Sequence, residues 1–141
     1  MRLAFFSVMP FEKKAFDKVN QHFQYDIHYF EEKLNERNVV ICEGFDAICV
    51  FVNDQVNSAC VEQLAKYGIR YILTRSAGFN HIDIETCQRL AISVAYVPEY
   101  SPDAIAEHTM ALLLTLNGKT HRGYNRIREH NFSIDGLMAK N

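Results

Sequence analysis

No apolar run in this chain approaches the length of a membrane span. The most apolar stretches, Ala47 to Val52 and Met110 to Leu114 with Leu116 beyond, fall far short of the ~20 residues that a helix needs to cross a bilayer core. The apolar start, Leu3 to Phe6 with Val8, runs at once into Met9-Pro10-Phe11-Glu12-Lys13-Lys14, which is too short for a secretory signal. The expectation is a cytoplasmic protein with no membrane partner. An excess of basic charge is also lacking: 15 Lys and Arg stand against 17 Asp and Glu, a formal charge of -2. That is the wrong sign for a chain whose partner is nucleic-acid phosphate, and none is expected. The four cysteines, Cys42, Cys49, Cys60 and Cys87, form no Cys-x-x-Cys pair and lie in apolar surroundings, so they read as small hydrophobes, with no metal site expected. The six glycines never fall into the close spacing Gly-x-Gly-x-x-Gly, so this stretch carries no dinucleotide-binding turn.

What is present is the composition of a folded domain. The chain has 141 residues, 48% hydrophobic and 23% charged, which suits one hydrophobic core better than two. Two periodicities alternate along it. Arg2 to Val8 is a short apolar run, whereas Phe11, Ala15, Phe16, Val19 and Phe23 recur at helical spacing behind Pro10, a favoured first-turn residue. Asp26 to Phe30 reads as a second strand. The stretch from Asn35 to Glu43 reads as a helix ended by Gly44, although Val39-Val40-Ile41 within it favours a strand. Ala47 to Val52, six apolar residues in a row, has the pattern of a strand buried on both faces of a parallel sheet.

A helix capped by Asn57 or Ser58 and closed by Gly68 follows, then a strand over Tyr71 to Thr74. Asp83 caps a short helix through Leu90, and Ile92 to Val97 supplies a fifth strand. Strands separated by helices of this length imply a parallel, doubly wound sheet covered on both faces, a flavodoxin-like α/β fold. In such a sheet ligands gather at the carboxyl ends of the strands.

After the fifth strand the texture changes. Ser101-Pro102-Asp103 combines a capping hydroxyl, a first-turn proline and an acid at the positive helix end. Ala104 to Leu116 is then apolar nearly all round, the pattern of a helix that a second body of protein covers. From Asn117 to Asn141, Lys119, Arg122, Arg126 and Arg128 alternate with Gly118, Gly123 and Gly136, which reads as surface or linker stopping without a natural domain end. The expected organisation is a domain over 1–100 and a connecting segment over 101–141.

Two strand ends carry candidate chemistry. The fourth runs into Thr74-Arg75-Ser76-Ala77-Gly78-Phe79-Asn80-His81-Ile82-Asp83, where small residues let backbone N–H groups reach an anion unobstructed; an ordinary βα turn has the same appearance. The fifth ends in Val97-Pro98-Glu99-Tyr100-Ser101-Pro102-Asp103-Ala104-Ile105-Ala106-Glu107-His108. Together these segments resemble the D-2-hydroxyacid dehydrogenases, in particular their D-lactate dehydrogenase branch. His121-Arg122-Gly123-Tyr124-Asn125-Arg126 and Asn131-Phe132-Ser133 extend the likeness.

The resemblance implies an NAD-dependent enzyme that reduces pyruvate to D-lactate, built as a homodimer of two-lobed subunits with the active site between the lobes. The 1–100 region would be the flavodoxin-like catalytic lobe. The 101–141 region would be a connecting helix and the start of the cofactor lobe and dimer arm. The same likeness places the backbone N–H groups of Ala77 and Gly78 on the substrate carboxylate, Tyr100 along the substrate pocket and cofactor, Ile105 near the nicotinamide, and Phe51 against the substrate's side chain. Glu107 and His108, adjacent on a helix, point apart and read as structural. His22, His28, His81, His121 and His130 read as surface residues.

The catalytic Arg, the Glu-His pair and the glycine-rich cofactor turn of such enzymes have no counterpart in these 141 residues. The chain alone is therefore expected to be inactive and to bind NADH weakly at most. Two other readings stay open. One is a flavodoxin-like signalling receiver, for which only Asp54 comes near the phosphoacceptor position. The other is a free-standing interaction module.

Overall fold

The computed structural model describes residues 1–139. They form two compact units, Met1–Tyr100 and Ser101–Asn141.

In the first unit five strands make one all-parallel sheet: β1 (Arg2–Phe5), β2 (Asp26–Tyr29), β3 (Ala47–Val50), β4 (Tyr71–Thr74) and β5 (Ser93–Ala95), in the order β2-β1-β3-β4-β5. This is the flavodoxin-like order, whose topological switch lies between β1 and β3. Alternation along the central strands divides their side chains between two layers. Ala4, Phe6, Ile48 and Val50 join the larger core with Leu34, Val61, Leu64, Ile72 and Cys87. Leu3, Phe5, Ala47 and Cys49 form the smaller one on the opposite face.

The helices follow the capping chemistry. In α1 (Pro10–Phe23) the N-terminal proline is followed by Glu12, whose carboxylate accepts from the backbone N–H of Met9 at 2.9 Å. α2 (Ser58–Lys66) is capped by Asn57, which accepts from Cys60 N at 3.1 Å, so the choice between Asn57 and Ser58 goes to the asparagine. Gly68 follows that helix at φ +83°, a conformation that a side chain resists. α3 (Ile84–Arg89) is capped by Asp83, which accepts from Thr86 N at 2.8 Å.

The structure corrects the helix expected over Asn35 to Glu43. Only Val39–Cys42 is helical, as a single 3-10 turn. Asn35 and Asn38 bond locally instead: Asn38 Oδ1 accepts from Asn35 N, and Asn38 Nδ2 donates to the carbonyl of Lys33. Such side-chain bonds compete with a helical ladder, and Val39 and Cys42 are buried without one. The strands are also shorter than their apolar runs. β3 stops at Val50 although Phe51 and Val52 follow, because a turn begins there to bring Asp54 N onto the carbonyl of Phe51 at 2.9 Å.

α1 keeps its predicted amphipathic spacing, yet none of its residues is buried. Phe16 meets Phe5 edge-on at 4.7 Å, while Phe11 and Val19 stand in the open.

All four cysteines are free and buried in the first unit. Burial raises their thiols, Cys42 and Cys60 to about 12 and Cys49 and Cys87 to about 11. Thiolate, the reactive form, is thus scarce near neutrality. Native protein should resist maleimide, whereas denatured protein takes four equivalents by mass spectrometry; rapid native labelling at any of the four would contradict this burial.

The second unit holds α4 (Pro102–Gly118) and α5 (Thr120–Arg128). Ser101 caps α4, accepting from Ala104 N at 3.4 Å. Within the tail read as surface or linker, α5 is a two-turn helix on which Arg126 donates to the carbonyls of Ser133 and Asp135. Neither helix buries a residue, and no helix is long and apolar enough to cross a membrane among the described residues.

Candidate functional site

Four strand ends converge at the carboxyl edge of the sheet, each tied to a neighbour. Phe6 N donates to the carbonyl of Cys49 beyond β1, Arg75 N to that of Val50 beyond β4, and Val97 N to that of Ser76 beyond β5. The last of these joins the two segments that the sequence singles out.

The turn after β4 holds Ala77 and Gly78, both exposed. Among the described residues neither N–H donates to a protein acceptor, so two adjacent donors are left without a protein partner. Gly78 has no left-handed φ, and a Cβ built on it would meet nothing within 4 Å. The fold itself does not demand glycine there; its absent side chain leaves the backbone open, as an anion site requires. A shallow cleft of about 400 Å³ adjoins the turn, lined by Val52, Gly78, Asn80 and His81.

Beneath the turn lies a chain of side chains that single-residue reading misses. The Ser76 hydroxyl donates to the Gly78 carbonyl at 2.7 Å. Thr74 Oγ1 stands 2.7 Å from Ser76 Oγ and 3.2 Å from His81 Nε2. His81 is half-buried, which corrects its reading as a surface residue. Desolvation lowers its pKa, against an opposing pull from the Asp54 carboxylate, so the ring is neutral at physiological pH. No Asp or Glu lies at triad spacing to reveal this role, because its partners are hydroxyls on the strand end.

Arg75 is the second residue that motif spacing leaves without a role. Its Nε meets Glu12 Oε1 at 2.9 Å, and its two terminal nitrogens donate to the carbonyls of Phe6 at 3.1 Å and Ser7 at 3.0 Å. The guanidinium lies over Phe5 at 4.2 Å and Phe51 at 5.2 Å. One cation therefore gathers the ends of β1, β3 and β4 and the start of α1. Phe51, at the carboxyl end of β3, is half-buried by this stacking.

Asp54 is the third. It is 1% exposed and accepts three hydrogen bonds: from Ser7 Oγ and Leu34 N at 2.8 Å each, and from Phe51 N at 2.5 Å. Ser7 itself holds φ +52°, a strained conformation for a non-glycine residue at the topological switch. A carboxylate sealed and fully engaged in this way cannot serve as the accessible phosphoacceptor of a signalling receiver, so that reading loses its one candidate.

Tyr100 closes the first unit three residues beyond Val97 and is 68% exposed. The structure thus brings Ala77, Gly78 and the segment leading to Tyr100 to neighbouring strand ends, with Phe51 held by Arg75. Ile105 stands on α4 in the second unit, also exposed. Among the described residues no group of three His, Cys, Asp or Glu side chains is placed to hold a metal ion.

The fold and this edge define an α/β domain with an open, donor-bearing turn at the carboxyl side of a parallel sheet. Residues 3–133 match the family of D-isomer specific 2-hydroxyacid dehydrogenases over its catalytic domain, and the chain belongs to that family. It is 46% identical over 139 residues to 2-hydroxyacid dehydrogenase homolog 1 of Schizosaccharomyces pombe, covering 99% of this chain and 42% of that protein. The apo-structure of D-lactate dehydrogenase from Escherichia coli superposes with a TM-score of 0.87 at 38% identity, covering 99% of this chain and 44% of the other. D-lactate dehydrogenase with NAD+ from Lactobacillus jensenii gives 0.68 at 27% identity, over 99% and 43%. The chain thus spans about two fifths of the length of the relatives it matches.

Proposed function

We propose that this chain supplies the substrate-holding half of an NAD-dependent D-lactate dehydrogenase that reduces pyruvate. The observation that carries the reading is the turn after β4, whose adjacent Ala77 and Gly78 N–H groups are free of protein acceptors above an unobstructed cleft. Two aligned amides hold a carboxylate in register without a charged side chain that would also bind unrelated anions.

In the complete enzyme NAD supplies the hydride acceptor and donor. This chain's residues bind and orient. Ala77 and Gly78 fix the carboxylate of the keto acid, and Phe51, braced by Arg75, packs against its methyl group. Tyr100 offers a ring with a polar tip to the half-wet edge of the pocket and to the cofactor; Ile105, on α4, is the residue assigned to the nicotinamide. General acid and cationic partner come from elsewhere in the complete enzyme, so the chain alone is inactive.

Ser101 to Asn141 is the connecting helix and the start of the cofactor lobe and dimer arm. Leu114 and Leu116 of α4 are 62% and 67% exposed, apolar surface of the kind that marks contact with further protein. The Met1–Tyr100 unit is the catalytic lobe, and the homodimer is cytoplasmic.

Expression together with the downstream coding sequence is expected to give NADH-dependent pyruvate reduction; a product that binds no NADH would refute the reading. In that enzyme Gly78→Val fills open space, so stability is retained while the pyruvate KM rises about tenfold or more. An unchanged KM removes Gly78 from the site.

A further inference from the structure

The hydroxyl chain below the turn has a direction that proton counting settles. A serine hydroxyl carries one hydrogen, and that of Ser76 is committed to the Gly78 carbonyl at 2.7 Å. The contact between Thr74 Oγ1 and Ser76 Oγ at 2.7 Å must then be donated by Thr74. With the Thr74 hydrogen spent, the 3.2 Å contact to His81 has only one remaining donor, the Nε2–H of the imidazole. The order runs His81 Nε2–H to Thr74, Thr74 to Ser76, and Ser76 to the carbonyl of Gly78.

The backbone around His81 is itself anchored. Its carbonyl accepts from Val56 N at 2.9 Å, and the carbonyl of Val56 accepts in turn from Asp83 N at 2.9 Å. Thr74 is buried at the end of β4. His81 and Thr74 are therefore anchored in the fold, and only the Ser76 to Gly78 end of the relay reaches the exposed turn.

We infer that His81, acting through Thr74 and Ser76, is a positioning residue that keeps the Gly78 carbonyl engaged by the Ser76 hydroxyl, so that this oxygen does not oppose a carboxylate held at the Ala77 and Gly78 amides. A carbonyl dipole pointing into the cleft would repel an anion and cancel the attraction of the amides beside it. Ser76 prevents this by donating its one hydrogen to that oxygen, and its lone pair accepts the hydrogen of Thr74, which fixes the hydroxyl in that direction. His81, kept neutral by burial, terminates the relay as the donor. This assignment rests on the carboxylate-binding reading of the turn and adds three side chains to it.

The test combines two measurements on the chain. In ¹⁵N-labelled protein the His81 ring should show the Nε2–H tautomer; an Nδ1–H tautomer overturns the relay without any variant being made. Pyruvate is then titrated while the Ala77 and Gly78 amide resonances are followed. Thr74→Val, Ser76→Ala and His81→Phe should each weaken pyruvate about tenfold, the loss of one hydrogen bond's worth of orientation, whereas His81→Gln, which retains a donor N–H, should stay within about twofold of the parent. Melting temperature is read alongside, because a merely structural role would lower it and leave affinity unchanged, and that pattern overturns the assignment. Should pyruvate leave both amides of the parent chain unshifted, the carboxylate reading itself fails and the relay has nothing to position. Should the parent bind and all variants bind equally, only the relay fails.

Discussion

Replacing Asp54 by alanine is expected to remove about 3–5 kcal/mol of stability, a large part of the 5–15 kcal/mol that holds a domain of this size together. The carboxylate is 1% exposed, and its two oxygens serve three donors: the Ser7 hydroxyl, Leu34 N and Phe51 N. Truncation leaves all three without this acceptor, Leu34 N fully buried and the Ser7 hydroxyl and Phe51 N half-buried, each at a cost of about 1–3 kcal/mol that entering water relieves in part. Asp54→Asn should lose less. One amide oxygen can still serve Ser7 and Leu34, while the NH₂ group confronts the N–H of Phe51. Urea unfolding followed by far-ultraviolet circular dichroism measures both, and a midpoint for Asp54→Ala equal to the parent's would show that the three donors find other acceptors.

Arg75→Ala is the second large effect, with about 3–5 kcal/mol lost because one partner of a buried ion pair is removed and the other stays. The side chains of Arg75 and Glu12 are 8% and 15% exposed. Without the guanidinium, Glu12 has only Met9 N as a donor, the carbonyls of Phe6 and Ser7 lose theirs, and Phe51 loses the plane it stacks on. Arg75→Lys separates charge from shape. A single ammonium can meet Glu12 but cannot fork to two carbonyls while lying flat between two rings. It should recover part of the stability, and in the complete enzyme still raise the pyruvate KM through a mobile Phe51. Full recovery of both by lysine would mean that charge alone matters at this position.

Much of the architecture was legible because it depends on local chemistry. The run Ala47 to Val52 announces a strand buried on both faces, Asn57, Asp83 and Ser101 announce helix starts, and each is found where its side chain bonds the expected N–H. The failure over Asn35 to Glu43 has an equally local cause. Asn35 and Asn38 have the option of bonding their own neighbourhood, and spacing alone does not say whether they take it. The turn after β4 was legible as a turn too, and its small residues Ala77 and Gly78 are exposed there.

What stayed hidden is everything that depends on pairs distant in the chain. Arg75 reaches Glu12 across 63 positions and Asp54 reaches Ser7 across 47, and no periodicity connects such residues. His81 is a different case: its partner Thr74 is only seven positions back, at the end of β4, but a threonine hydroxyl is a residue type too common to signal anything.

The sequence by itself determined the alternation of strand and helix, their caps, the open turn after the fourth strand and the family to which the motifs belong, all of which follow from neighbours along the backbone. Only the tertiary structure decided which charged and polar groups meet at the carboxyl edge of the sheet. Parallel strands placed side by side bring their ends together irrespective of the helices between them, and it is there that Arg75, Asp54 and the His81 relay find their partners.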